Sequence, residues 1–113
     1  MTSLAHSQLD IDLISEIKDI IETNLGSPDL TPAFLSSELA LSSSKLYRKI
    51  TELTDMSPNE FIRTIRLKKA ASLLKTRNYN VSEVANSVGF NDPLYFSRRF
   101  KKQFGCAPSE LIK

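Results

Sequence analysis

Two windows of the sequence, residues 43–54 and 92–104, could offer the same hydrogen-bonding chemistry from one side of a helix. At about 100° per residue, the first window would present these polar side chains together: Ser44, Tyr47, Arg48 and Thr51, with Lys45 and Lys49 beside them. The second would present Leu94, Ser97, Arg98 and Lys101, with Tyr95, Arg99 and Lys102 beside them. Guanidinium and hydroxyl groups can bond to the edges of nucleic-acid bases, and ammonium groups pair with phosphates. The two windows therefore indicate a surface suited to a nucleic acid.

Each of these residues also has an ordinary structural interpretation. Taken alone, Arg48 or Arg98 is more typical of a solvated surface than of a base contact, and Tyr47 could simply cover a hydrophobic edge. The second window also contains three phenylalanines at helical spacing, which we predict to be core residues: Phe96, Phe100 and Phe104. The relation between the two windows decides between these interpretations.

The chain contains an internal repeat with a spacing of 50 positions. Identical residues pair across it: Arg48 with Arg98, Pro58 with Pro108, Glu60 with Glu110 and Ile62 with Ile112. Apolar positions agree as well, since Leu46 and Ile50 correspond to Phe96 and Phe100. We interpret the repeat as two helix-turn-helix units, in each of which a first helix braces a second whose exposed side enters the major groove of DNA.

Helix signals around both windows predict an all-α fold of about seven helices. The longest, Ser57–Arg77, begins with a capping box formed by Ser57 and Glu60. The others are predicted at Asp10–Leu25 with Gly26 as its stop, Thr31–Glu38, Ser43–Thr54 capped by Ser42, a helix capped by Asn80 and ending near Val88, Asp92–Phe104 capped by Asn91 and stopped by Gly105, and Pro108–Lys113. The predicted organisation is a tail or linker remnant at 1–9 and one domain at 10–113. In that domain, a linker helix at about 57–77 joins a first unit at about 10–56 to a second at about 78–113.

Composition and charge narrow the classes of function. The 113 residues carry a net charge of +2, but residues 1–30 hold six acidic residues against one lysine (net −5), and residues 31–113 hold 14 Lys/Arg against seven Asp/Glu (net +7). A basic body suits a polyanionic partner. One cysteine and one histidine cannot form a disulfide framework or, alone, a zinc site, and a free thiol suits a reducing cytoplasm. No apolar run approaches the length of a membrane span, so we expect no membrane contact in this segment.

The repeat and its surroundings resemble the DNA-binding domain of the AraC/XylS family. The resemblance rests on VSEVANSVGFNDPLYFSRRFKKQFGCAP at 81–108 and on SSSKLYRKITELTDMSPNEFIRTIRLKKAASLL at 42–74. The sequence is also similar to the output domains of response regulators and hybrid two-component sensors. It implies base contacts from Ser44, Tyr47 and Arg48 in the first unit and from Pro93, Leu94, Tyr95, Ser97 and Arg98 in the second. The expected phosphate contacts are Ser43, Lys45, Lys49, Thr51, Arg66, Arg99, Lys101 and Lys102.

Two departures from the family pattern bear on these expectations. Ala40 and Asp55 stand where glycine is usual, so a positive φ there would strain the turn. Pro93 and Leu94 offer no side-chain donors, so we expect the second unit to read bases less directly, through methyl contacts, DNA shape or the backbone.

The expected function is sequence-specific binding of double-stranded DNA by a bacterial transcription regulator, an activator, with the two recognition helices in successive major grooves about 34 Å apart. Further expectations are contact with RNA polymerase subunits, dimerisation through parts outside this segment, a cytoplasmic location, and neither cofactor, metal nor enzymatic activity. The alternative is a helical protein-interaction module that docks polymerase or a receptor. Interaction faces favour Leu, Met, Trp and Tyr, whereas the predicted exposed sides are rich in Ser, Thr, Arg and Lys.

Overall fold

The computed structural model describes residues 7–112, and these residues form helices and turns with no strand among them. The elements are α1 (Gln8–Thr23), α2 (Pro32–Leu39), α3 (Ser43–Thr54), α4 (Pro58–Lys75), α5 (Val81–Ser87), α6 (Pro93–Phe104) and a 3-10 helix (Pro108–Ile112). The predicted all-α class, with two helix-turn-helix units and a long helix between them in the chain, is confirmed. The predicted tail at 1–9 lies largely outside the described residues, and Gln8 and Leu9 already belong to α1.

The helices begin where short polar side chains accept hydrogen bonds from otherwise unpaired N–H groups. The predicted capping box of α4 is present, because Ser57 Oγ accepts from the N–H of Glu60 at 3.2 Å and the Glu60 carboxylate accepts from the N–H of Ser57 at 3.0 Å. Asn80 and Glu83 form the same reciprocal pair at the start of α5. The Ser57–Glu60 pair and the Asn80 cap were expected, because the residues that form each lie within four consecutive positions of the chain.

The predicted start of α6 is wrong by one residue. Asp92, not Asn91, is the N-cap, and its carboxylate accepts from the N–H groups of Leu94 and Tyr95 at 3.0 and 3.2 Å. Either residue type can cap a helix, but Pro93 decides between them. Proline has no N–H group and a fixed φ, so it favours the first helical position and places the cap at the residue before it.

Two helix ends also differ from the predictions. α1 ends at Thr23 rather than at Leu25, because the Asn24 side chain donates to the carbonyl of Ile20 at 2.7 Å and its N–H bonds to Ile21, which closes the last turn before Gly26. α4 ends at Lys75 rather than Arg77, and Arg77 has a positive φ of 62°. A left-handed residue stops a helix whatever its side chain.

The expected positive φ angles at the two turns without glycine are present. Ala40 follows α2 with φ 55°, and Asp55 follows α3 with φ 62°. This conformation strains a residue that has a Cβ by about 1–2 kcal/mol, less for Asp than for Ala. The turns of this chain are therefore less relaxed than glycine would make them.

The chain divides into two compact units. Among the described residues, the first contains 7–24 and 29–63. In it α3 packs against α1 and α2. Its most deeply buried side chains are Ile17, Ile21, Leu35, Leu46 and Ile50. Each such burial contributes about 1.5–3 kcal/mol, so α3 is held firmly by the side that carries Leu46 and Ile50.

The second unit contains residues 25–28 and 64–112 of the described chain. Its core joins the second half of α4 to α5 and α6, and it consists of Leu67, Ala70, Ala71, Leu74, Val84, Ala85, Val88, Phe90, Phe96 and Phe100. The rings of Phe96 and Phe100 have centroids 5.7 Å apart and both residues are fully buried. Phe104 contacts the Phe100 ring at 4.6 Å but is 37% exposed, so the prediction that it is a core residue is wrong: it lies at the last turn of α6, at the edge of the unit.

Candidate nucleic-acid interface

In the first unit, the side of α3 opposite the core carries the residues expected to contact DNA. Ser42 accepts from the N–H of Lys45 at 3.1 Å and so fixes the first turn. Ser43, Ser44, Lys45 and Arg48 are exposed, and Tyr47 is 56% exposed although it is a large ring. An exposed tyrosine beside an arginine leaves both groups able to reach a partner, because neither is used by the core.

Two of the expected phosphate contacts in this unit are less accessible. The Lys49 Nζ lies 3.0 Å from Asp10 Oδ1 of α1 and 3.8 Å from Glu52 Oε1, so two carboxylates share its charge. Thr51 is half-buried, and its hydroxyl donates to the carbonyl of Met56 at 3.4 Å. The pairing of Lys49 with Asp10 was not visible in the residue pattern, since the two residues are 39 positions apart.

A pocket of about 250 Å³ lies beside α3 in the first unit. Its lining includes Ser36 of α2, Ser43 and Tyr47 of α3, and Ser57 at the start of α4. The Ser36 hydroxyl is buried and has no hydrogen-bond partner in the structure. The pocket therefore places a hydroxyl next to the proposed base-contacting side, a feature that no sequence pattern indicated.

In the second unit, the residues of α6 that are expected to contact DNA differ in how exposed their side chains are. Pro93, Arg98, Lys101 and Lys102 are exposed, and Leu94 is 73% exposed with no core contact to explain an apolar side chain there. Tyr95 is 37% exposed because one edge of its ring rests near Phe90, with the centroids 6.0 Å apart. Ser97 and Arg99 are half-buried, and the Arg99 Nε is buried without a partner.

Arg66 of α4 differs from the other expected phosphate contacts because its guanidinium is used inside the second unit. Its Nε donates to the carbonyl of Leu25 at 3.3 Å and a terminal nitrogen donates to the carbonyl of Ser27 at 3.2 Å. Burial lowers the pKa of Arg66 below its usual range, because desolvation penalises the charged form. A guanidinium nonetheless remains charged at neutral pH, so Arg66 is a partly buried cation held by carbonyl dipoles.

Two further observations concern other kinds of site. Within residues 7–112 no three histidine, cysteine or acidic side chains converge so that they could hold a metal ion. None of the helices in that range has both the length and the apolar character that a membrane crossing requires.

The comparisons with known proteins agree with this geometry. A family model described as a helix-turn-helix domain matches residues 35–113. The chain belongs to this helix-turn-helix family, and its resemblance to the AraC/XylS DNA-binding domain is confirmed. It is 40% identical over 104 residues to histidine kinase P4 of Formosa agariphila, covering 92% of this chain but 8% of that relative. The chain thus spans a small fraction of the length of that curated relative.

Two solved structures are similar along most of the chain. One is the C-terminal domain of AraT, a response regulator from Geobacillus stearothermophilus, with a TM-score of 0.78, 29% identity, and coverage of 88% of this chain and 82% of that one. The other is the DNA-binding domain of AdpA, a global transcriptional factor, in complex with a target DNA, with a TM-score of 0.77, 27% identity, and coverage of 85% and 86%. The expected similarity to output domains of response regulators is confirmed.

Proposed function

We propose that this chain binds double-stranded DNA sequence-specifically as the output domain of a bacterial transcription regulator, with α3 and α6 as its two recognition helices. The observation that carries the proposal is that both helices bury one apolar side and expose a side rich in hydrogen-bond donors. This arrangement occurs twice in a chain of the helix-turn-helix family, and the similar AdpA domain was solved in complex with DNA. Both observations favour DNA over a protein partner. The polar composition of the exposed sides also disfavours the alternative, a protein-interaction module.

For the first unit, we assign base contacts to Ser44, Tyr47 and Arg48. Arg48 is the strongest of the three, because a guanidinium can bond twice to guanine in the major groove. Ser43 and Lys45 lie at the start of α3, where side chains and N–H groups meet phosphates. Lys49 and Thr51 are kept as phosphate contacts, and a phosphate would compete for Lys49 with Asp10, whose carboxylate lies 3.0 Å away.

For the second unit, we assign base contacts to Pro93, Leu94, Tyr95, Ser97 and Arg98, and phosphate contacts to Arg99, Lys101 and Lys102. The high exposure of Leu94 supports an apolar contact with a thymine methyl group. Ser97 is half-buried, which leaves Arg98 as the main donor. We therefore expect weaker discrimination between bases by the second unit than by the first.

α4 lies between α3 and α6 in the chain. α4 has 18 residues without interruption, about 27 Å at 1.5 Å per residue. We propose that the two recognition helices enter successive major grooves, about 34 Å apart, over a site of roughly 20 base pairs, with DNA bending where straight DNA cannot meet both.

Several parts of the proposal concern the whole protein. We infer that it is an activator, that it contacts RNA polymerase subunits, that it dimerises through other parts, and that it acts in the cytoplasm, where its DNA lies. The single DNA-binding domain predicted from the sequence belongs to this proposal as well, with α4 (Pro58–Lys75) as its linker helix. We expect no enzymatic activity from this chain, since the matched region covers only 8% of the kinase relative.

A salt titration of DNA binding tests the proposal. Gel shifts with a duplex would be measured from low to physiological salt, and the logarithm of the binding constant plotted against the logarithm of the salt concentration. Each phosphate contact contributes a slope of about −0.9, so six or more contacts should give a slope steeper than about −5. A slope near zero would show that the basic residues do not meet phosphates, and the proposal would fail.

A further inference from the structure

The α1–α2 connection is part of the second unit, although both of its flanking helices lie in the first. Leu25 is buried, and its carbonyl accepts a hydrogen bond from Arg66. Gly26 packs closely on the end of α5, since a Cβ added to it would lie 3.0 Å from the Ser87 carbonyl oxygen. Residues 25–28 therefore form a backbone bracket against the second helix-turn-helix.

The bracket reaches the turn between α5 and α6 at Gly89. This glycine has φ 94°, which side chains rarely allow, and a Cβ there would lie 2.5 Å from the Leu25 carbonyl oxygen and 2.9 Å from the guanidinium carbon of Arg66. The Leu25 carbonyl thus lies against both the guanidinium and the turn. Glycine at this position fits because it leaves room for the two groups.

We propose that Arg66 is a positioning residue for the second recognition helix and not a phosphate contact. Gly89 is four residues before Pro93, the first residue of α6, so the position of this turn sets where the helix start lies. Arg66 holds residues 25–28 on α4 through two hydrogen bonds from one guanidinium, and the same guanidinium lies against the turn at Gly89. It acts on base reading through the turn, and it touches no base itself.

The inference rests on the proposed function. It predicts that lysine cannot replace arginine at position 66, whereas a phosphate contact would tolerate the exchange. A phosphate accepts lysine in place of arginine, because both supply a positive charge. Two carbonyls 39 and 41 residues away in sequence need the fork of the guanidinium. Arg66→Lys should therefore impair the second unit while keeping the charge, and Arg66→Met should do so more strongly.

The experiment measures discrimination at each half of a preferred duplex selected from random DNA. Binding of the wild type, Arg66→Lys and Arg66→Met would be compared on the preferred duplex and on two others, each with one half scrambled. Arg48→Ala and Arg98→Ala identify which half belongs to which unit, and Lys101→Met shows the effect of removing a phosphate contact. The same duplexes would be titrated with salt, and thermal unfolding would report the folded fraction of each variant.

We expect Arg66→Met to reduce discrimination at the second half by about tenfold, Arg66→Lys to do so by severalfold, and neither to change discrimination at the first half. The salt slope should stay at the wild-type value in both Arg66 variants, whereas Lys101→Met should make it shallower by about 0.9. If Arg66→Met does not fold, Arg66→Lys carries the test.

Two results would overturn the inference. A salt slope that becomes shallower in Arg66→Met but not in Arg66→Lys, with discrimination between duplexes unchanged, would assign Arg66 to a phosphate. Unchanged discrimination, or an equal loss at both halves after correction for the folded fraction, would leave it a structural residue only. If the wild type itself shows no preference among duplexes, the proposed function fails instead.

Discussion

The ion pair between Asp10 and Lys49 should restrain DNA binding by the first unit. Lys49 stands on the recognition helix α3, yet its ammonium is held 3.0 Å from the Asp10 carboxylate of α1. A phosphate that recruits Lys49 must replace this partner. Asp10→Asn removes the competing charge with little change in shape, so it should strengthen DNA binding and weaken the fold.

The size of both effects follows from the exposure of the pair. The two side chains are 23% and 22% exposed, so water still screens them, and such a pair contributes about 0.2–1 kcal/mol. Affinity should therefore rise by at most about fivefold, which corresponds to 1 kcal/mol. Stability should fall by up to about the same free energy, and the salt slope should steepen by as much as 0.9, since one more cation would meet a phosphate.

Asp12→Asn is the matched control, because Asp12 is an exposed carboxylate on the same helix that accepts a hydrogen bond from Gln8 and not from a lysine. Both variants remove one negative charge from α1, so the difference between them isolates Lys49. Fluorescence anisotropy on one preferred duplex, at several salt concentrations, gives affinity and slope together. Equal effects of the two substitutions, or weaker binding by Asp10→Asn, would refute the competition.

Four further predictions follow from the geometry. Ala40→Gly should raise the free energy of unfolding by about 1 kcal/mol, since it relieves a φ of 55°; chemical denaturation would measure it, and a loss of stability would contradict it. Gly89→Ala should cost more than Gly105→Ala in the same assay, because both have positive φ but only Gly89 would clash with backbone, at 2.5 Å. Arg48→Ala should cost ~1–3 kcal/mol on the preferred duplex and little on random DNA, whereas equal losses would assign Arg48 to a phosphate. A flexible glycine insertion between Arg63 and Thr64, at the boundary of the two units in the chain, should weaken DNA binding while each unit stays folded by hydrogen exchange, and unchanged affinity would show that α4 does not set the spacing.

Local features of the fold were predictable because their causes lie within a few residues. Ser42 and Asn80 cap their helices through N–H groups three positions further on. The apolar side of α3 follows from a period of 3.6 residues, and Leu46 and Ile50 are buried as the period predicts. The start of α6 was predictable as well, because Pro93 favours the first helical position and so places the cap at Asp92 rather than Asn91.

The contacts that change the account of the interface join distant parts of the chain. Lys49 meets Asp10 across 39 positions, and Arg66 meets Leu25 across 41. The sequence does not distinguish an exposed arginine of a basic helix from one that donates hydrogen bonds to a distant loop, since both stand among apolar residues. The exposed sides of α3 and α6 could therefore be predicted, but the residues already engaged inside each unit could not. Which side chains meet bases stays a prediction.

The central claim is that both helix-turn-helix units read DNA, and selection of bound duplexes from random sequence tests it most directly. We predict an enriched site of roughly 20 base pairs with two conserved parts about one helical turn apart, and weaker base preference in the part read by α6. Arg48→Ala should relax only one part and Arg98→Ala only the other. No enrichment, or a single short motif that responds to one arginine alone, would contradict the claim.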